Sequence, residues 1–466
     1  MNISTNSENS SNLDRFGYEQ SLKRVLPLSF LIFYGLAYLS PVTIFGTYGL
    51  VANMTHGMVS LTYTIATIAM VFTAYSYSMM SKAYPVAGSA YTYTQRSINP
   101  HVGFLAGWAI LMDYLLLPMI NYLLAAIFLA PYFPGVPSWV WILGYIFVVT
   151  IINYFGITIT AWVNNALIVV QVVFIFAFVL FMAKWIGSGG GAGTFFDWNA
   201  FLNPVEFNLP GMGLGSILGG ASILALSFLG FDAITTVSEE AINPEKNVGI
   251  AIMVTCIGAG LLFIVVSYMM QLSWPTGWNE FQSVDTGAQE LIIKVAGSVM
   301  GYLFTATYCI GCLACAMASQ SSAARILFGM GRDGALPKKF FGYVHPKHQT
   351  PTYNVILVGV ISLSALFLSL GVAVSLINFG ALAGFTLVNL SVVAHYFIRQ
   401  KQRTGSGVIR YLIMPLIGAS ICFTIWLNLD ISSKILGFSW LTVGIIYLAT
   451  TTKFFQKLPP EMKLSE

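Results

Sequence analysis

Two aspartates sit in stretches of sequence otherwise suited to hydrocarbon. Asp232 falls in "SFLGFDAITTVSEE", residues 227–240, and Asp113 in "LMDYLLLPMIN", residues 111–121. A carboxylate at membrane depth is costly, and where one is kept it usually meets a mobile cation or carries a proton. Asp232 follows a Phe-Leu-Gly-Phe interruption. It can pair with a cationic solute, carry a coupling proton, or cap the half-helix that starts there by accepting its free N–H groups. Tyr114, next to Asp113, offers a ring face to an ammonium group. A structural hydrogen bond to a neighbouring helix is the plainer account of Asp113. Glu239 and Glu240 follow Asp232 by about two helical turns. They are either gating contacts to basic side chains of a loop or a solvated helix end.

These acids need elements that hold them in a membrane, and the composition supplies them. Of 466 residues, 57% are hydrophobic and 8% charged, against about 25% charged in soluble domains. Crossing the hydrocarbon layer takes about 20 apolar residues. By that measure there are twelve runs: 27–52, 59–80, 102–133, 136–154, 161–186, 213–237, 249–272, 297–328, 353–370, 372–398, 411–429 and 435–455. With the N-terminus inside, only Lys184, Lys294 and Lys434 of the 21 basic residues fall outside. That bias sets the orientation, with both termini cytoplasmic in the plasma membrane. The polar residues 1–24 lack the basic region and short apolar core of a cleaved signal and are expected to be a disordered cytoplasmic tail. Residues 456–466 form the cytoplasmic tail at the other end.

The first five spans and the next five run in step. Span 1 is interrupted by "GLAYLSPVTIFGTYG", residues 35–49, and span 6 by "SFLGFD". Spans 3 and 8 are the long ones, and each is preceded by an extra polar segment. Five spans per unit is odd, so the second unit must be inverted. Paired broken helices then mark a binding site near the bilayer midplane. The expected partition is 25–190 for the first repeat, 191–212 for an outer loop, 213–398 for the second repeat and 399–455 for two further helices. Irregular backbone survives at this depth only where it lines a wet cavity or is buried in protein. Its N–H and C=O groups suit a zwitterionic amino acid or an organic amine. Tyr38, Tyr91, Tyr93, Phe228, Phe231 and Tyr308 are candidate wall aromatics, with Phe228 and Phe231 flanking the second break.

Other motifs carry less. Cys309, Cys312 and Cys315 share a helical face, but no fourth ligand follows, so no metal site is expected. The five cysteines all lie in apolar runs, which argues against disulfides. "GMGRDG", residues 329–334, follows an apolar helix and not a strand, so it is no dinucleotide site. "GSGGGAG", residues 187–193, reads as a flexible outer loop. His56, His101, His345, His348 and His395 form no catalytic or metal set beyond the loop pair His345/His348, so an enzyme is not expected. A nutrient sensor that binds without transporting, a class that usually adds a soluble signalling domain, is the remaining alternative; no nucleic-acid partner is expected, and the oligomeric state is left open.

"GSAYTYTQRSINPHVGFLAGW", "DYLLLPMIN", "SFLGFDAITTVSEEAINPEK" and "FGYVHPKHQTPTYNVILVG" resemble the amino acid–polyamine–organocation permeases over residues 22–455. "SINPHVGF", "INFGAL" and "VNLSV" are similar to the bacterial putrescine importers in particular. The resemblance implies an all-α integral membrane protein of twelve helices with a LeuT-like 5+5 inverted repeat and two C-terminal helices. It further implies secondary active uptake of an amino acid or a putrescine-like amine, or its exchange. The lipid bilayer and a small amine would be its partners, a proton or sodium its coupling ion, and no cofactor is expected. Gly46 stands where those importers carry an acid. Gln171 stands in span 5, where some proton-coupled relatives carry a lysine. The expected site is Tyr38, Ser40, Pro41 and Thr43 from span 1, Asp113 and Tyr114 from span 3, and Phe228, Gly230, Phe231 and Asp232 from span 6, with Asn378 and Gly380 from span 10. Asp232, Gln171, Glu239 and Glu240 are the coupling or gating candidates.

Overall fold

The computed structural model describes residue 22 and residues 24–130 and 132–457. The two expected tails lie outside these residues, apart from Leu22, Arg24, Gln456 and Lys457. The described chain is helical, and its one strand-like contact is an isolated pairing of Leu26 with Ala241.

A bent path of α1 (Leu28–Leu39) and α2 (Thr43–Met54) leads to α3 (Val59–Ala83), α4 (Ser89–Ser97), α5 (Pro100–Leu129), α6 (Ser138–Tyr154) and α7 (Ile157–Gly187). A loop carrying α8 (Pro204–Phe207) precedes α9 (Leu214–Leu224), which continues through tighter 3-10 turns at Ala225–Phe228 and Ala233–Glu240. Then come α10 (Pro244–Ser273), α11 (Gly277–Glu280), α12 (Gly287–Arg332), α13 (Lys338–Phe341), α14 (Thr352–Ile361), α15 (Leu370–Val392), α16 (Gly405–Val408), α17 (Met414–Leu427) and α18 (Ile431–Thr451). Among the described residues nine helices are long and apolar enough to cross a membrane, and the bent pair α1–α2 makes a tenth path. The apolar helices Ser138–Tyr154 and Thr352–Leu366 are shorter.

The apolar surfaces face two ways. On α7, Val169, Val172, Val173, Phe176 and Leu180 are exposed, as a helix wetted by lipid allows. Inside, α3 packs along α10, and both α1 and α9 join this pair. A second group forms from α5, α7, α12 and α15. α1 touches both α7 and α12, so it lies where the two groups meet.

The structure revises one boundary. The apolar run begins at 297, but α12 begins at Gly287 and bends at Gly297, where φ is +83°. A polar helical segment therefore leads directly into a long apolar one. α4 and α5 do the same in the first half, separated only by Ile98 and Asn99.

Candidate functional site

The first break spans 40–42. Pro41 supplies no N–H and disfavours helical geometry at the residue before it. Ser40 leaves the helix with φ +53°, and the two halves bend by 40°. The second break spans 229–232 and turns on Gly230 at φ +132°, a conformation that only glycine adopts readily. The two breaks touch. A Cβ on Gly230 would lie 2.7 Å from the Leu39 nitrogen and 2.9 Å from the Tyr38 Cβ. Groups released by the first break find partners across it. Cys315 on α12 donates its S–H to the Tyr38 carbonyl at 2.7 Å. The Ser40 hydroxyl donates to Gln171 Oε1 on α7 at 3.0 Å.

Asp232 is fully buried. Its Oδ2 accepts from the Tyr114 hydroxyl at 2.5 Å, and its Oδ1 accepts the Gly230 N–H at 3.2 Å. The carboxylate turns back into the break, so it does not cap the turns that follow, and the capping expectation is corrected. Asp113 is also fully buried, and neither of its oxygens has a hydrogen-bond donor among the described residues. The two acids stand within electrostatic reach of one another. Neither forms an ion pair with a described residue. The Tyr38 hydroxyl has no hydrogen-bond partner among the described residues, and its ring meets Tyr114 edge-on at 5.8 Å.

Near this cluster lies a cavity of about 30 Å³. Tyr38, Ser40 and Thr43 line it from the first path, Leu226 from the second, Asn121 from α5, and Tyr308, Cys312 and Cys315 from α12. A vestibule of about 520 Å³ opens on the far side, bounded by Gly46, Ser222, Asn378, Asp285 and Asp430 among others.

The expected residues therefore divide. Tyr38, Ser40 and Thr43 line the inner cavity. Asn378 lines the vestibule, with its Oδ1 unpartnered. Asp113, Tyr114 and Asp232 form one buried cluster but line neither volume, and Pro41 shapes the break without reaching a wall. Phe228 and Phe231 are not wall residues. Phe228 packs between Tyr63 and Phe263 at 6.4 and 5.6 Å, and Phe231 between Tyr77 and Phe385 at 5.8 and 5.3 Å. Both rings are taken up in contacts with neighbouring helices. Tyr91 reaches away from the breaks and donates to Asp333 Oδ2 at 3.1 Å.

Gly380 is likewise a packing residue. A Cβ there would lie 2.3 Å from the Ala109 carbonyl oxygen, which is backbone and cannot swing aside. Gly380→Ala is expected to cost about 1–3 kcal/mol by overpacking, read as a lower thermal unfolding midpoint in detergent.

Asn121, Leu226, Cys312 and Cys315 were not among the expected site residues. A signal existed in the spacing: 308, 312 and 315 share a helical face at i, i+4 and i+7. Among the described residues no cluster of ligating side chains could hold a metal ion.

Residues 28–457 match the sequence profile of the amino acid permeases. The chain belongs to the amino acid permease family. It is a multi-pass membrane transporter and not an enzyme. The permease is 41% identical over 443 residues to the low-affinity putrescine importer PlaP of Escherichia coli K12, covering 94% of this chain and 96% of that one. It is 25% identical over 474 residues to the branched-chain amino acid permease BcaP of Bacillus subtilis, covering 94% and 95%. It is 26% identical over 460 residues to the methylthioribose transporter of the same organism, covering 93% of each chain.

Glu239 and Glu240 of the permease are buried, which corrects the solvated-end reading. Glu240 accepts from Arg325 Nε at 2.5 Å and Nη2 at 2.8 Å. Glu239 accepts from Arg332 at 2.9 and 3.0 Å and from the Ala87 N–H at 2.9 Å. The carbonyl of Glu240 also holds the N–H groups of Val25 and Leu26 at 2.8 and 2.9 Å. The end of the 233–240 segment is thus fastened to α12, to the loop before α4 and to the entry of α1.

Proposed function

We propose that this permease is a secondary active importer of a small amine-bearing solute, an amino acid or a putrescine-like amine, across the plasma membrane. One observation carries the reading. Two buried carboxyls with no basic partner among the described residues lie beside the contact between two helix breaks. Buried charge that no fixed cation neutralises suits a cation that comes and goes. The Tyr38 hydroxyl and the Tyr114 ring add an acceptor and a π-face for an ammonium. The relatives named for putrescine and for amino acids bracket the same chemistry.

The architecture behind this is twelve spans in a 5+5 inverted repeat with two further helices, divided at 25–190, 213–398 and 399–455. The matched breaks, and the matched short-helix-then-long-helix pairs α4–α5 and 287–332, support it. Both termini are cytoplasmic. The group of α1, α3, α9 and α10 rocks against the other to give alternating access. A proton is the driving ion, with sodium as the alternative. Asp232, Gln171, Glu239 and Glu240 are the residues through which coupling and gating act. Exchange of one amine for another by the same site is the second mode that this geometry allows.

The test is uptake into proteoliposomes under an inward proton gradient, with putrescine, ornithine, lysine, tyramine and neutral amino acids in competition. One of these is expected to accumulate, and a protonophore is expected to abolish accumulation in sodium-free buffer. Accumulation of none would overturn the reading. Accumulation that persists with protonophore but needs sodium would reassign the coupling ion.

A further inference from the structure

We propose that Tyr308 sets the length of solute the site accepts, and that it can do so only because position 46 is glycine. This rests on the reading of the site as one for small amines or amino acids.

Thr43, Ile120, Leu124, Leu226 and Tyr308 line both the inner cavity and the vestibule, so they are the wall between the two volumes. The inner volume of about 30 Å³ is a small fraction of the vestibule's 520 Å³. A solute too long for the inner volume must therefore displace part of that wall. Thr43 is tied to its own helix, its hydroxyl donating to the Leu39 carbonyl at 2.8 Å. Ile120, Leu124 and Leu226 are aliphatic side chains of the same wall.

Tyr308 differs from the other four. Its ring is flanked by Phe128 at 4.4 Å and Phe304 at 5.6 Å. Its hydroxyl makes no hydrogen bond with a described residue, and it rests against α2 where a side chain would begin. A Cβ on Gly46 would lie 2.1 Å from that hydroxyl oxygen and 3.2 Å from Cζ. The phenol closes the wall over bare backbone, and nothing but contact holds its tip. Beyond it are acceptors that a longer cation would reach, Asn378 Oδ1 and the Asp285 carboxylate, beside the Asp430 carboxylate that caps α18 through the Ser433 N–H and hydroxyl. With the phenol in place a short solute is enclosed and a long one meets the ring. Without it the two volumes join, and a second ammonium can settle among the outer acceptors.

The test compares uptake of linear diamines from ethylenediamine to octanediamine, and of straight-chain 2-amino acids from alanine to 2-aminooctanoate. Wild-type permease is expected to prefer the short members. Tyr308→Ala is expected to shift preference toward the long ones by about tenfold or more, as one or two methylenes in an apolar pocket are worth. Tyr308→Leu serves if the alanine variant does not fold. Gly46→Ala is expected to lower uptake, and Tyr308→Phe in that background to restore it, since the substitution removes the atom that the new methyl meets. A purely structural loss at Gly46 would not be rescued in this way. If wild type takes up neither series, the amine and amino-acid reading itself fails. If wild type transports but the length profiles of wild type and Tyr308→Ala coincide, the inference about Tyr308 is overturned.

Discussion

Asp113→Asn and Asp232→Asn are each expected to abolish amine uptake at wild-type levels of expression. Losing one partner of a buried charge pair costs about 2–5 kcal/mol, a factor of about 30 to several thousand. The two losses should differ in kind. Asp232 already accepts the Tyr114 hydroxyl and the Gly230 N–H. An amide at 232 keeps one acceptor but aims its NH2 at one of those donors. Asp232→Asn should therefore also loosen the second break and lower thermal stability. Asp113 has no donor among the described residues, so Asp113→Asn should leave stability unchanged or raise it, because a buried charge has been removed. Equilibrium binding of labelled substrate in detergent, measured beside thermal unfolding, separates the two effects. Wild-type uptake by either variant would remove that residue from the site.

The membrane class, the breaks and the acids were legible because each is a local departure from a simple background. Pro41 and Gly230 each force non-helical backbone, and an aspartate in an apolar run has few uses. The direction of side chains at the breaks was not legible. Sequence position puts Phe228, Phe231 and Asp232 equally close to the second break, yet the two rings enter helix contacts and the carboxylate turns back toward Gly230. The rest of the wall, from α5, α12 and the 225–228 turn, was hidden for a different reason. Leu226, Asn121 and Cys312 are ordinary residues for a membrane helix, and only the approach of distant helices makes them a lining. The pairing of Glu239 and Glu240 was open between a solvated end and a gate. The sequence shows the basic residues of α12 but not that Arg325 and Arg332 lie over the two acids.

Those pairs lead to the second large effect. Glu240→Gln is expected to destabilise the permease by about 3–5 kcal/mol, since it leaves the buried Arg325 guanidinium without a counter-charge. Arg325 would keep its contacts to the Ser321 carbonyl and hydroxyl at 2.9 and 2.6 Å and one neutral acceptor, the amide oxygen of the new glutamine. The stability lost belongs chiefly to the fastening of this end, because the Glu240 carboxylate joins the 233–240 segment to α12, while the bonds of its backbone carbonyl to Val25 and Leu26 survive the substitution. The variant should therefore open more readily at the end that carries the basic loops. A cysteine introduced at Ser322, where the Tyr34 hydroxyl lies 2.8 Å from the serine oxygen, should then react faster with a thiol reagent applied from that end. Replacing the pair by apolar residues, Glu240→Leu with Arg325→Met, separates fold from gate. An apolar pair of similar volume often matches a buried ion pair in stability, so the unfolding midpoint should recover. Turnover should not, because an apolar contact at the gate has no charges to rehydrate as it parts and so has less reason to open to water. Glu240→Gln with wild-type stability and wild-type labelling would mean that the pair does not hold this end closed, and Glu239 with Arg332 would be left as the fastening.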